Sequence, residues 1–171
     1  MNKMEEVRVE KVTLNIGAGK DQAKLDKGIA LIKAITGIAP VKTITNKRIM
    51  GWGLRPGLPI GFKVTLRKKQ AFNIIPRLLS AKDNTLSEDQ FDESGSLSFG
   101  IPEYIDIAEA KYDPKIGVMG LEVSITFEKA GYRIKKRKIL RRKIGKKHKL
   151  TKKDAIEFMK SKFNIKMEDE E

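Results

Sequence analysis

Val12-Thr13-Leu14-Asn15-Ile16-Gly17-Ala18-Gly19-Lys20-Asp21 is the stretch on which the reading of the fold turns. Val12, Leu14 and Ile16 alternate with Thr13 and Asn15, the period-two signature of a strand with one buried face. Gly17 to Lys20 end that strand. Asp21 can then cap a helix whose Leu25, Ile29, Ile32 and Thr36 share a stripe, closed by Gly37 with Pro40 just beyond. Moving outward, a short strand fits Val41 to Thr45, and the glycines and prolines of Gly51 to Gly61 demand an irregular loop. Phe62, Val64 and Leu66 alternate with Lys63, Thr65 and Arg67, a strand whose second face is basic. Residues 68–81 carry a helical pattern (Phe72, Ile75, Leu78, Leu79), in which Pro76 costs about 3 kcal/mol unless the helix kinks or restarts. Residues 83–95 have a polar, acidic loop composition, and Leu97 to Ile107 and Leu121 to Phe127 alternate as strands. Thr151 caps a last helix bearing Ala155, Phe158, Met159 and Lys162, and the acidic end from Glu168 to Glu171 is expected to fray. This order of elements predicts an α+β two-layer sandwich, a largely antiparallel sheet with helices on one face, plus a basic C-terminal extension.

The chain has 171 residues, no cysteine and a formal net charge of +14. That length suits one domain. Without cysteine there is no disulfide framework, thiol nucleophile or cysteine-based metal site, and a lone His148 builds no histidine-rich one. The sequence implies no cofactor and no enzyme. No apolar run is long enough to span a bilayer, and Met1 to Glu6 carry acids where a signal peptide would be basic and then apolar, which predicts a soluble, cytoplasmic protein.

Charge is distributed unevenly. Residues 1–79 carry 16 basic and 5 acidic groups, 80–128 carry 3 and 11, and 129–153 carry 14 and none. From Lys135 to Lys149, ten of fifteen residues are Lys or Arg, a block that repels itself until a polyanion neutralises it. Nucleic acid is the expected partner, through counterion release. A membrane surface is not, because Ile134, Ile139, Leu140 and Ile144 make no broad apolar face. Composition alone leaves a nuclear-localisation patch open. The chain divides into a nucleic-acid-binding body, 1–128, and an extension of the same domain, 129–171.

Other motifs carry less chemistry. Gly17-x-Gly19 before a helix could open a phosphate loop, but Gln22 stands where a dinucleotide fingerprint needs glycine, so a plain tight turn is expected. Glu88, Asp89, Asp92 and Glu93 fit no calcium-loop spacing and read as a solvated loop that repels RNA. His148, among cations, is expected to contact phosphate or base. Trp52 either stacks on a base or anchors its loop to the core. Arg55 suits reaching outward to a phosphate or base, or else pairs with an acid of the 80–109 segment.

Several strings together resemble one family. Val12 to Gly19, Ile35-Thr36-Gly37-Ile38-Ala39-Pro40, Leu54-Arg55-Pro56-Gly57-Leu58-Pro59-Ile60-Gly61 with Lys63 to Arg67, and Phe91-Asp92-Glu93-Ser94-Gly95 resemble the ribosomal large-subunit proteins that bind 5S rRNA, the L-five family. Phe99-Gly100-Ile101, Tyr112-Asp113-Pro114 and Gly117-Val118-Met119-Gly120 extend the likeness over residues 7–128, and the extension is similar to the archaeal and eukaryotic branch. The sequence departs from the family at Ile38-Ala39 and at Pro76. The resemblance implies a structural constituent of the large subunit that holds 5S rRNA in the central protuberance and touches 23S rRNA, with the body, 1–128, as its RNA-binding domain. It further implies contacts with P-site tRNA, neighbouring large-subunit proteins and a small-subunit head protein. It places Asn15, Lys47 and Thr65 on 5S rRNA, with Arg48, Lys63 and Arg67 beside them. Lys135, Lys136, Arg137, Lys138, Arg141, Arg142, Lys143, Lys146 and Lys147 complete the RNA-binding set, and Arg55, Pro56 and Gly57 form the tRNA-contacting loop. The rival readings are an independent RNA-binding regulator and, from another class, a phosphate-handling enzyme built on the Gly17–Gly19 turn.

Overall fold

The computed structural model describes residues 2–108 and 110–168. Five strands, β1 (Val7–Gly17), β2 (Val41–Ile44), β3 (Pro59–Arg67), β5 (Leu97–Ile101) and β6 (Leu121–Lys129), form an antiparallel sheet in the order β2-β3-β1-β6-β5. Two-residue strands β4 (Thr85–Leu86) and β7 (Lys166–Met167) make a separate parallel pair. Helices α1 (Gln22–Thr36), α2 (Lys68–Ser80) and α4 (Lys152–Phe163) join one face of the large sheet in a shared core, and α3 (Arg133–Lys136) is a single turn. This is the expected sandwich.

The alternation read from the sequence sets the core. Val12, Leu14 and Ile16 are buried and lie opposite Leu66, Val64 and Phe62 of β3, while Val12 and Leu14 also face Ile125 and Val123 of β6. Burying each of these side chains contributes roughly 1.5–3 kcal/mol before chain entropy is charged against it. The extension shares this core: Phe158 of α4 meets Phe127 edge-on at 5.6 Å, and Phe163 packs against Phe72 of α2 at 5.2 Å.

Local chemistry fixes the helices. Asp21 accepts hydrogen bonds from the amides of Ala23 and Lys24, and Gly37 closes α1 at φ 70°. The buried stripe of α1 is Leu25, Gly28, Leu31, Ile32 and Ile35, whereas Ile29 and Thr36, expected inside, are half-buried. Gly28 explains the roll: a Cβ there would lie 1.9 Å from the Phe62 ring, so the helix presents its smallest residue where it approaches the sheet most closely. Between β3 and α2 there is no loop, because Lys68 makes the turn itself at φ 55°. The helix continues through Pro76, which is solvent-facing, so the carbonyl of Phe72 that loses its partner can turn to water.

Four expectations are corrected. β3 starts at Pro59, inside the stretch read as loop, since a strand's first residue can lack an N–H. The strand predicted to reach Ile107 stops at Ile101, before Pro102, and Tyr104 to Asp106 form a short 3-10 turn that buries Tyr104 and Ile107. The acidic 83–95 stretch is tethered: β4 pairs with β7, and Phe91 is buried in a bridge to Leu97. Glu168, expected to fray, donates its amide to the Leu86 carbonyl at 2.9 Å; residues 169–171 lie outside the described ones.

Gly28→Ala tests the closest helix–sheet approach. Overpacking against Phe62 costs about 1–3 kcal/mol and better helix propensity returns about 1. Urea denaturation should therefore show a net loss, the reverse of an exposed helical glycine.

Candidate nucleic-acid interface

The helices leave the second sheet face open, and alternation decides what stands on it. Lys11, Thr13 and Asn15 of β1 lie opposite Arg67, Thr65 and Lys63 of β3, and on the other side Asn15 and Thr13 meet Glu122 and Ser124 of β6. Ser98 and Gly100 of β5 face Ser124 and Glu122 in turn. The expected Asn15, Lys63, Thr65 and Arg67 are thus brought together. Glu122, Ser124 and Ser98 join them and were not picked out from the sequence, although the alternation of Leu97 to Ile101 and Leu121 to Phe127 carried the signal. Asn15 Nδ2 donates to Glu122 at 3.0 Å. A carboxylate can only accept, so this bond turns the amide nitrogen inward and leaves Oδ1 as an acceptor in the centre of the face.

The face is electrically divided, with Lys11, Lys63 and Arg67 toward β3 and Glu122 on β6. A hollow of about 540 Å³ opens at one end, lined by Asn15, Gly17, Gly100 and Glu122 among others. A Cβ at Gly17 or Gly100 would meet nothing within 4 Å, so the chain's own packing does not require glycine at either position.

The β2–β3 connection is more ordered than its composition suggests. The amides of Thr45 and Gly57 donate to the carbonyls of Leu58 and Thr45, Ile49 bridges Leu54, and Gly53 turns at φ 65°. Leu54, only 5% exposed, anchors this loop, whereas Trp52 is 70% exposed and does not. Lys47, Arg48, Arg55, Pro56 and Gly57 are all solvent-facing and lie on this connection, not on the strands of the sheet cluster. Arg55 pairs with no described acid, so it does not pin the loop.

The basic segment is folded against the domain. Tyr132, 6% exposed, accepts from the Leu150 amide at 2.6 Å and donates to the His148 carbonyl, which closes the segment into a loop. His148 bonds the Ala130 carbonyl through Nε2 at 2.8 Å and packs edge-on against Tyr132. One ring nitrogen is thereby used inside the fold, and the ring is half-buried. Lys136 is committed as well, reaching Glu10 at 2.7 Å and Glu128 at 2.8 Å, with Arg8 on the same Glu128. Lys129 pairs with Asp154, the residue that completes the capping box of α4 with Thr151. Arg137 donates to the Leu140 carbonyl, and Lys135 sits 5.2 Å from the Tyr132 ring centre. Lys138, Arg141, Arg142, Lys143, Lys146 and Lys147 are solvent-exposed, with no acidic partner among the described residues.

The Gly17–Gly19 turn offers no phosphate loop. The amides of Ala18 and Gly19 both bond the Ile60 carbonyl, and Asp21 occupies the amides at the start of α1.

A sandwich with one helix-covered face, one open face of amide, hydroxyl and lysine groups, and a folded cationic flank defines a class of small, basic α+β proteins. Two family models match the chain in succession: ribosomal protein L5 over residues 2–55, and the C-terminus of the same ribosomal family over 59–158. The chain belongs to the ribosomal protein L5 family, and with it to the structural rather than enzymatic proteins. It is 46% identical over 163 residues to large ribosomal subunit protein uL5 of Nanoarchaeum equitans, covering 95% of this chain and 96% of that one. The uL5 of Sulfurisphaera tokodaii is 41% identical over 96% of this chain and 94% of its own. That of Methanosphaera stadtmanae is 41% identical over 98% of this chain and 100% of its own.

The ion pairs that hold the basic segment set a pH dependence. Burial pushes the Glu128 carboxyl up, but Lys136 and Arg8 outweigh it and hold Glu128 below the ordinary 4.5. Burial raises Asp154 too, and the hydrogen bonds from Lys129 and Thr151 outweigh it, holding that carboxyl below 3.8. For Lys136, burial pulls down while Glu10 and Glu128 raise it above 10.5. Carboxyls that titrate lower in the folded than in the unfolded state lend stability that is complete above the unfolded value and lost as pH falls through the folded one. The raised Lys136 lends stability that disappears as pH climbs through its folded value. Melting followed by circular dichroism should therefore weaken between about pH 5 and pH 3, and less steeply in Lys136→Met, which has already lost the pair.

Proposed function

We propose that this protein is a structural constituent of the large ribosomal subunit, in the cytoplasm, that holds 5S rRNA in the central protuberance with its open sheet face. The observation that carries this reading is the cluster of Asn15, Thr13, Thr65, Lys63 and Arg67 on a face that no helix covers. Such a face offers both phosphate-directed cations and groups able to hydrogen-bond sugars and bases. The names of the uL5 relatives support the assignment to the large subunit. In this reading residues 1–128 form the RNA-binding domain and 129–171 its extension, whose outward cations meet 23S rRNA by charge. Lys47 and Arg48 at the root of the β2–β3 loop add to the RNA surface. Arg55, Pro56 and Gly57 approach P-site tRNA, and the neighbouring contacts are large-subunit proteins and a small-subunit head protein. No helix among the described residues is long and apolar enough to cross a membrane, and we assign no membrane partner and no cofactor.

Asn15→Ala separates specific binding from charge. Losing its hydrogen bonds costs about 1 kcal/mol, or about fivefold. In filter binding, affinity for 5S rRNA should fall by that factor and affinity for an unrelated RNA of equal length should hold. Replacing Arg141, Arg142 and Lys143 with Gln should instead flatten the slope of log affinity against log salt for both RNAs alike. Equal losses from Asn15→Ala on the two RNAs would leave Asn15 a role in the fold alone.

Arg55→Ala reports on the loop. Its side chain adds one charge to a surface that has many, so 5S rRNA affinity should stay within about twofold, while P-site tRNA dissociates faster from reconstituted ribosomes. The opposite pattern would remove the loop from tRNA contact.

A further inference from the structure

Beside the sheet face, a second concavity of about 1020 Å³ lies between the basic segment and the Asp92–Ser96 loop. Its two walls have opposite charge. Arg141, Arg142, Lys143 and Lys146 line one side, Asp92 and Glu93 the other, and Phe127, Tyr132, Ile144 and Leu150 contribute apolar surface between them. Opposite charges so placed would ordinarily close on one another. Here no ion pair or hydrogen bond joins Asp92 or Glu93 to any of those cations among the described residues.

The acidic wall is kept in place by its own geometry. Asp92 is consumed in bracing the loop: Oδ1 accepts from the Glu93 amide at 2.8 Å, Oδ2 from Ser94 Oγ at 2.6 Å, and its amide donates to the Ser96 carbonyl at 2.9 Å. Gly95, at φ 79°, is pressed so tightly on Leu150 that a Cβ would come within 2.4 Å of it. The same Leu150 is tied by its amide to Tyr132. The loop and the basic segment are therefore fixed relative to each other, and Glu93 lines the cavity with no ion pair or side-chain hydrogen bond among the described residues.

An occupant must bring negative charge to one wall, hydrogen-bond donors to the other and a flat apolar body for the floor. A nucleotide has all three. Among the four RNA bases, guanine alone presents two adjacent donors, N1–H and N2–H, along its pairing edge, and one carboxylate accepts both. We propose that this cavity seats one unstacked guanosine nucleotide of the bound RNA, with its phosphate on Arg141, Arg142 and Lys146 and its pairing edge on Glu93. Asp92 is a positioning residue that aims Glu93. The proposal rests on the reading of the protein as an rRNA binder, and adds to it a base-specific contact outside the sheet face.

The test uses the full chain, fluorescence anisotropy at one fixed low salt, and three labelled hexanucleotides: all-uridine, and the same with one central guanosine or inosine. The guanosine oligomer should bind about fivefold or more tighter than the all-uridine one, as a bidentate base contact gives. Inosine, which keeps N1–H and lacks the N2 amino group, should fall between. Glu93→Gln and Glu93→Ala should each remove the preference without weakening all-uridine binding and without changing the melting temperature. Arg141→Gln with Arg142→Gln should weaken all three oligomers by the same factor. Equal binding of the three, no binding at all, or a preference that survives both Glu93 variants would overturn the proposal, as would equal, Glu93-independent competition by oligoglutamate. If 5S rRNA is still preferred over an unrelated RNA in any of those cases, the guanosine seat fails alone. If that preference is absent too, the rRNA reading fails with it.

Discussion

The two-sided pairing of β1 is the constraint from which the rest follows. As the middle strand it is hydrogen-bonded to β3 on one side and β6 on the other, so its register fixes both neighbours at once. A slip by one residue would send Val12, Leu14 and Ile16 to solvent and carry Thr13 and Asn15 into the core. The apolar side of that strand therefore enforces the polar side. The polar groups of the open face stand where they do because burying Leu14 leaves Asn15 no other direction.

Around that sheet, each basic region is ordered in a different way. β3 holds Lys63 and Arg67 by strand alternation, with the spacing of the pleat. The β2–β3 loop holds Arg55 by a ladder of backbone bonds and the buried Leu54. The segment after β6 is held by Tyr132, whose hydroxyl ties together residues 16 and 18 positions away, and by Lys136 between Glu10 and Glu128. A run of cations repels itself, and this one is stapled at its ends by a buried phenol and along its length by borrowed acids. What remains facing outward is a subset with a defined direction, which a disordered basic tail would lack. Pre-ordering lowers the entropy that binding must otherwise overcome.

The acidic groups of the middle of the chain take on separate duties for the same reason. Glu128 neutralises the base of the basic segment, Glu122 orients Asn15, and Asp92 braces a tight turn. Only some of them are left to repel a phosphate backbone. The division of the surface into cationic and acidic zones is thus finer than the division of the sequence into charged stretches.

Much was legible in the sequence because it depends on neighbours along the chain. Period-two alternation at Val12 to Ile16 and Phe62 to Arg67, the Asp21 and Thr151 caps, and Gly37 as a helix stop are local signals, and each is realised. The net charge and its concentration in 129–153 needed no coordinates, and the motif strings carried the family. Tertiary structure alone decided which residues meet across the chain. The roll of α1 was set by the Phe62 ring against Gly28, not by the apolar stripe of the helix itself. Lys136 could not be told from Lys135 or Arg137 in a run of like charges, since its partners lie 126 and 8 residues away at Glu10 and Glu128. The bond of His148 to the Ala130 carbonyl and its packing on Tyr132 could not be read from its cationic neighbours in sequence. Glu93 read as one acid in a solvated loop until the chain brought it beside the cations of the extension. Propensity and patterning act over a few residues, whereas the pairing of charges and the shape of a cavity are fixed only when distant segments are packed together.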